Sequence, residues 1–373
     1  MFPGFKSPPI GLKQTNAGNS LYMPYGYSVA RLQDTSVEAS PNNLVIGSGW
    51  SLAAAPAPFG NVILGCVGNA AGSSIYPTTV SGSSNIAITT SVWTGQANAW
   101  TNSNSIVIGA WAWTTIPGAN SITLSANGYA TGTQDTAIGY AAHASGGNCV
   151  ALGAASTASG TQSIAVIAGS GAGATGNYAV AIGGNTGATA ANAIAHGYYA
   201  TAAQVNSVCV GYASRADFPG EINVTNGGFA LPGDIHTSHF PLYAYTTSAT
   251  AVEAQTAGTA SLTTAPATYL AGVANATYFF TLDIVAQVKG GAAAAASWSS
   301  QFMYQQGATA ATATIIGTPS GLSAPLFSTG TVTGWAVAIT ADTTNGRPAI
   351  KFTGAAATNI SWVANVRMTK VGY

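Results

Sequence analysis

Ile122-Thr123-Leu124-Ser125, Thr136-Ala137-Ile138-Gly139, Val150-Ala151-Leu152-Gly153, Ile164-Ala165-Val166-Ile167, Val180-Ala181-Ile182-Gly183, Ile194-Ala195-His196-Gly197 and Val208-Cys209-Val210-Gly211 follow one another along the chain. All are versions of one phrase, apolar, any, apolar, Gly. The fourth residue falls at 125, 139, 153, 167, 183, 197 and 211, a step of 14 residues with one insertion of two. A fixed period of this size marks a solenoid, whose units cannot bury their apolar faces alone and are stable only when stacked on neighbours. Upstream copies, Leu44-Val45-Ile46-Gly47, Val62-Ile63-Leu64-Gly65, Ile86-Ala87-Ile88-Thr89 and Ile106-Val107-Ile108-Gly109, extend the pattern at longer, irregular steps.

Within each phrase the first and third residues are apolar and the second is small. That alternation predicts a short strand with one buried face, the first and third side chains pointing inward. A second set of small-residue phrases, Ala130-Thr131-Gly132, Ala144-Ser145-Gly146, Ala158-Ser159-Gly160 and Ala174-Thr175-Gly176, supplies a second strand and a tight turn. One coil is thus two short strands and two turns, a flattened β-roll. So few inward side chains per coil make a thin core, and further burial has to come from another copy of the chain. On the same alternation Cys149 and Cys209 are expected to point away from the roll interior.

Charge is almost absent. Only 5% of the 373 residues are charged, the formal net charge is zero, and between Ala39 and Ser214 Asp135 alone is charged. This leaves no electrostatic footprint for nucleic acid. No stretch reaches the length of a transmembrane helix and the opening Met1-Phe2-Pro3-Gly4-Phe5-Lys6 lacks a basic then apolar leader, so neither membrane insertion nor secretion is expected. Periodic apolar residues and 47% hydrophobic content argue against disorder. Three cysteines, Cys66, Cys149 and Cys209, have no metal spacing and read as reduced small residues.

The chain divides into four parts. Residues 1–40 are rich in Pro, Gly and Tyr and read as an extended attachment segment, with Tyr22, Tyr25 and Tyr27 as candidate contacts. Residues 41–214 are the roll, and residues 215–235 a connector. Residues 236–373 alternate over longer spans, as in Phe280, Leu282, Ile284, Ala286 and Val288 or Ile360, Trp362, Ala364 and Val366, with Asn345-Gly346 as a turn signal. They predict an antiparallel β-sandwich, so the chain is read as all-β throughout.

The roll resembles the head repeats of trimeric autotransporter adhesins, whose Ser-Val-Ala-Ile-Gly phrase is matched by Tyr178-Ala179-Val180-Ala181-Ile182-Gly183 and Asn206-Ser207-Val208-Cys209-Val210-Gly211. That resemblance implies a homotrimeric left-handed parallel β-roll. The stretch from Gly211-Tyr212-Ala213 through Ala216-Asp217, Gly228-Phe229-Ala230 and Gly233-Asp234 to Ile360-Ser361-Trp362-Val363-Ala364-Asn365-Val366 is similar to the distal region of tailed-phage fibre and tail proteins. It implies a virion protein, assembled in the host cytoplasm, that meets tail, baseplate or capsid proteins through residues 1–40 and a host glycan or outer-membrane protein at its far end. A capsid-decorating head fibre, a glycan-degrading tailspike and a bacterial trimeric adhesin are the alternatives.

Candidate sites are few. His196 takes the third position of its phrase, where other copies carry Ile, Leu or Val. In a trimer three such side chains facing the axis could hold a metal or anion; alternatively each is a neutral imidazole satisfied within its own roll. His236 and His239 alternate to opposite faces, which disfavours a shared metal. Nine carboxylates are scattered, with no acid and base pair on the solenoid, and Asp217 and Glu221 are explained by turn formation. The reading is non-enzymatic and without a cofactor. Binding candidates are aromatic: Trp93, Trp100, Trp111 and Trp113, beside Trp50 in the longer coils, and Tyr243 and Tyr245, opposite Phe240 and Leu242. Trp298, Trp335 and Trp362 are expected in the core.

Overall fold

The computed structural model describes residues 60–65, 83–89, 103–109, 118–167, 173–229, 233–256, 269–290 and 294–372, together with the backbone of the other short strands named below. The chain forms two compact units, Met1–Ala174 and Thr175–Tyr373. Among the described residues there is no α-helix; one 3-10 turn, Ala310–Thr312, interrupts the strands.

In the first unit the phrases are strands that pair in parallel and in register. Leu44–Ile46, Val62–Gly65, Ile86–Thr89, Ile106–Gly109, Ile122–Leu124, Thr136–Ile138, Val150–Leu152 and Ile164–Val166 form one ladder. The second phrases, Tyr129–Ala130, His143–Ala144, Thr157–Ala158 and Gly173–Ala174, form another. Further upstream Trp50–Leu52, Thr78–Val80 and Ala99–Trp100 pair in parallel, as do Val92–Trp93 and Ala112–Trp113. Lys13–Gln14 and Leu21–Tyr22 make a small antiparallel pair.

The second unit opens with the same architecture. Val180–Ile182, Ile194–His196, Val208–Val210 and Ile222–Val224 are one parallel ladder, and Gly187–Ala188, Thr201–Ala202 and Arg215–Ala216 the other. The repeated glycine is required by its backbone: Gly197 and Gly211 stand at φ +138° and +114°, and a Cβ on either would fall on the carbonyl oxygen of the following coil.

The interior of the roll corrects the expected alternation. The second residue of the phrase points inward, and Ala137, Ala151 and Ala165 in the first unit, and Ala181, Ala195 and Cys209 in the second, are fully buried. Opposite them lie Ala130, Ala144, Ala158 and Ala174, and in the second unit Ala188, Ala202 and Ala216. Between the two sheets of a 14-residue coil there is room only for a small side chain, Ala or Cys in most coils, Thr123 in one coil of the first unit and Asn223 in the last coil of the second, so the large branched apolar side chains turn outward. In the longer upstream coils Ile63 and Val107 fit inside. Cys149 and Cys209 are likewise interior, not outward.

The residue before the phrase adds a buried polar column. In the first unit Asn61 and Asn85 each accept, through Oδ1, the backbone N–H of Asn85 and Ser105, at 2.9 and 3.0 Å. Asp135, fully buried, accepts from the amides of Gly132 and Cys149 at 2.7 and 2.8 Å. These side chains satisfy groups that the turns leave unpaired.

Beyond the roll, Ile222–Val224 is met by Ile235–Thr246 running antiparallel, with Ile222 opposite His239. Ile235–Thr246 pairs with Ile360–Gly372, which pairs with Ala276–Val288, which pairs with Ala295–Gln306. A second antiparallel sheet, Val252–Glu253, Arg347–Thr353 and Ala336–Asp342, contributes Val337, Ile339, Ile350 and Phe352 to the same hydrophobic core as Phe240, Leu282, Trp298 and Trp362. Trp362 stacks on Phe352 and Trp298 at 4.9 and 5.4 Å between centroids and donates its indole N–H to Thr246 Oγ1 at 3.0 Å. Trp298, Trp335 and Trp362 are buried as expected.

Candidate functional site

The described coils send the large apolar side chains at the first and third positions of the phrase to the outer face. In the first unit Ile88, Ile108, Leu124, Ile138 and Ile164 are exposed, and in the second Ile182, Ile194, Val210, Ile222 and Val224. Parallel in-register pairing lines these residues up, Ile108 beside Leu124 beside Ile138, so exposure is contiguous. Rows of exposed branched residues on a soluble surface mark an interaction face.

His196 belongs to this outer face. The register sets it between Ile182 and Val210, and it is exposed, so its expected inward orientation is corrected along with the alternation that suggested it. No group of three or more metal-ligating side chains occurs among the described residues.

A second feature lies at the turn that follows the phrase, where the chain passes from one sheet of the roll to the other. Tyr198 and Tyr199 occupy this turn in one coil of the second unit and Tyr212 in the next, at 48%, 41% and 50% exposure. Tyr198 stacks with Tyr212 at 5.9 Å and 19°, and meets Tyr199 edge-on at 4.3 Å and 72°. The Tyr199 hydroxyl donates a hydrogen bond to Tyr198, which favours the protonated phenol and, joined by the electrostatic influence of Tyr198, raises Tyr199 above its ordinary range. The signal for this cluster was in the sequence as tyrosines 14 apart, after Gly197 and Gly211.

The other candidates are dispersed. Tyr243 is half-buried, its backbone paired with Gln255 through two 2.9 Å hydrogen bonds, and Tyr245 is half-buried with Lys289 Nζ 5.4 Å from its ring centroid. Trp93, Trp100 and Trp113 fall in short strands whose side chains lie outside the described residues, as does Trp111 altogether. Tyr22 ends the strand Leu21–Tyr22, and Tyr25 and Tyr27 lie outside the described residues.

Asp217 and Glu221 do form a turn, since Glu221 Oε2 accepts the amide hydrogens of Asp217 and Phe218 at 2.5 and 2.8 Å. They also do more. Glu221 Oε1 accepts from Ser238 Oγ, and Asp217 pairs with Lys370 Nζ at 3.0 Å and Arg215 Nε at 2.9 Å. His236, fully buried, directs Nδ1 at Glu221 and Asp217 from 3.7 and 3.8 Å, while His239 faces solvent, so the two histidines do take opposite faces. The cluster ties residues 215–221 to the strands Ile235–Thr246 and Ile360–Gly372. Sequence could not reveal it, because Lys370 is 153 positions from Asp217. A second ionic group, Arg347 with Asp342 at 2.9 Å and Glu253 at 3.3 Å, stacks its guanidinium over Tyr269. Hydrogen bonds from Asn345 and Arg347 hold the Asp342 carboxyl well below the usual carboxylate range. No helix among the described residues is long and apolar enough to cross a membrane.

Residues 130–154, 150–166 and 168–186 match the YadA head domain repeat family. No curated protein matches the chain. The matched residues include the 14-residue coils described above, and the chain therefore carries an adhesin-like β-roll.

Proposed function

We propose that the chain is a homotrimeric fibre protein of a tailed-phage virion that attaches the particle to a host surface. In this reading residues 41–214 are a left-handed β-roll shaft, residues 215–235 a connector and residues 236–373 a β-sandwich tip, while residues 1–40 dock on tail, baseplate or capsid proteins. It is a structural and binding role with no catalytic step.

The observation that carries it is the outward row of branched apolar residues. One copy leaves that row in water, and its alanine interior offers little burial to compensate. Packing three copies on a common axis buries the row, and cyclic symmetry brings the same face of each copy to the centre. The match to the YadA head domain repeat supports the same assembly and adhesion with it. That match favours a second reading equally, a bacterial surface adhesin. The phage reading is preferred for the resemblance of residues 211–234 and 360–366 to the distal parts of phage fibres.

Two measurements test it. Light scattering of the full chain should give the mass of three 37.0 kDa copies, and a folded monomer at micromolar concentration would overturn the assembly. Immunogold electron microscopy should then label phage tails, and the purified chain should bind host cells and compete with infection. Label on capsids alone assigns a decorating fibre, and label on the cell envelope assigns the bacterial adhesin.

A further inference from the structure

We propose that Tyr198, Tyr199 and Tyr212 form a binding platform for a neutral glycan on the side of the roll. The proposal rests on the attachment reading above and adds to it a contact surface outside residues 236–373.

The backbone supplies the first argument. Tyr199 stands at φ +60°, in the left-handed region, where the corresponding turns of neighbouring coils carry Asn185 at +53° and Ala213 at +54°. Asparagine adopts this conformation readily; a bulky aromatic does not. The cost is ordinarily offset by burial, yet Tyr199 is 41% exposed. Tyr178 shares the conformation at φ +60° and 56% exposure, so the strain belongs to the turns of the roll, and what sets Tyr199 apart is its contact with two further rings.

The rings supply the second. Tyr198 and Tyr212 lie nearly parallel on successive coils, with Tyr199 edge-on to Tyr198 and perpendicular to Tyr212 at 6.5 Å, so the three form one exposed aromatic cluster. An aromatic face is electron-rich, and the C–H hydrogens on one face of a pyranose, polarised by the ring and hydroxyl oxygens, are its complement. An exposed cluster that spans successive coils suits a chain of sugar rings better than the closed box that would enclose one quaternary ammonium ion.

Charge supplies the third. Residues 175–214 contain no Asp, Glu, Lys or Arg. The polar groups presented by these coils are amides, as in the Asn192 Nδ2 to Asn206 Oδ1 hydrogen bond of 3.0 Å. Arg215, the exposed cation of the same coil as Tyr212, is already paired with Asp217 at 2.9 Å, so an anionic polysaccharide meets no unpaired counter-charge here and the ligand this surface complements is uncharged.

The test uses the full-length chain on a printed panel of neutral polysaccharides and their uronate-containing counterparts. Retention on a neutral polysaccharide is expected, reduced at least tenfold in a Tyr198→Ala, Tyr212→Ala double variant. Tyr199→Asn should lower retention as well while raising the melting temperature, because it relieves the left-handed strain; a structural tyrosine would do the reverse. Absence of retention on every neutral polysaccharide, retention equal in the variants, or release by choline overturns the proposal. So does a variant that loses its trimeric mass, which would assign the tyrosines to contacts between copies. Host-cell binding by the unaltered chain separates the two readings: if it is present and unchanged in the double variant, this platform fails and attachment stands; if it is absent, attachment itself fails.

Discussion

Cys209 occupies the interior column in which neighbouring coils of its unit place Ala181 and Ala195, and burial, with Glu221 close by, pushes its thiol up to about 12. The unfolded chain releases that proton near 9.0, so between these values only the folded state retains it. The sign of the linkage is fixed: stability is full below pH 9 and falls as pH rises, by at most about 1.4 kcal/mol per unit from this group. Burial raises the phenols of Tyr278 and Tyr304 as well, adding to the same alkaline loss. Urea unfolding from pH 8 to 11 should therefore show a falling midpoint, less steep in Cys209→Ala, and Cys209 should resist a thiol reagent until the chain unfolds. A pH-independent midpoint would contradict the buried position. The orientation behind this was the part of the fold least legible from residues alone. Alternation defines two faces but does not say which is inside, and assigning the larger side chains to the interior is the natural choice. The deciding signal was uniform smallness: Ala137, Ala151, Ala165, Ala181, Ala195 and Cys209 vary hardly at all in volume, whereas the flanking positions range from Thr136 to Ile164 to His196. A constant small residue marks the tighter side.

At the scale of the coil, the turn glycines and the strands respond differently to a methyl group. Gly197 combines φ +138° with the carbonyl oxygen of Gly211 where its Cβ would go. Gly187 sits in strand register with Thr201, and an added Cβ meets only Thr189 Cγ2 at 3.9 Å. Gly197→Ala should thus cost about 1–3 kcal/mol or more, and Gly187→Ala should be neutral or slightly stabilising, as thermal melts of the two variants would show. Equal melting temperatures would mean that the turn tolerates a side chain. These turns, the strands and the 14-residue period were all readable, because each depends on residues within one coil. The ionic cluster around Asp217 and Glu221 was not, since it joins segments brought together only by long-range strand pairing.

For the whole molecule, electrostatics contributes little to what holds the roll together. All ion pairs among the described residues belong to residues 215–370. Raising salt to ~1 M, where exposed charges are screened within a few ångströms, should leave the mass of the proposed trimer unchanged in light scattering. Dissociation under those conditions would mean that charge rather than apolar contact closes the assembly. One feature bears on how such a protein remains discrete. A ladder of parallel strands is a template, since its last strand offers amide and carbonyl groups at the spacing the next strand would use. Here the last coil strand, Ile222–Val224, meets Ile235–Thr246 coming the other way, with Asn223 opposite Ser238. The chain's own reversal occupies the growing edge, so no second molecule can continue the ladder from that end. Removing that strand would turn a finite object into a seed, one to which further molecules add end to end as filaments.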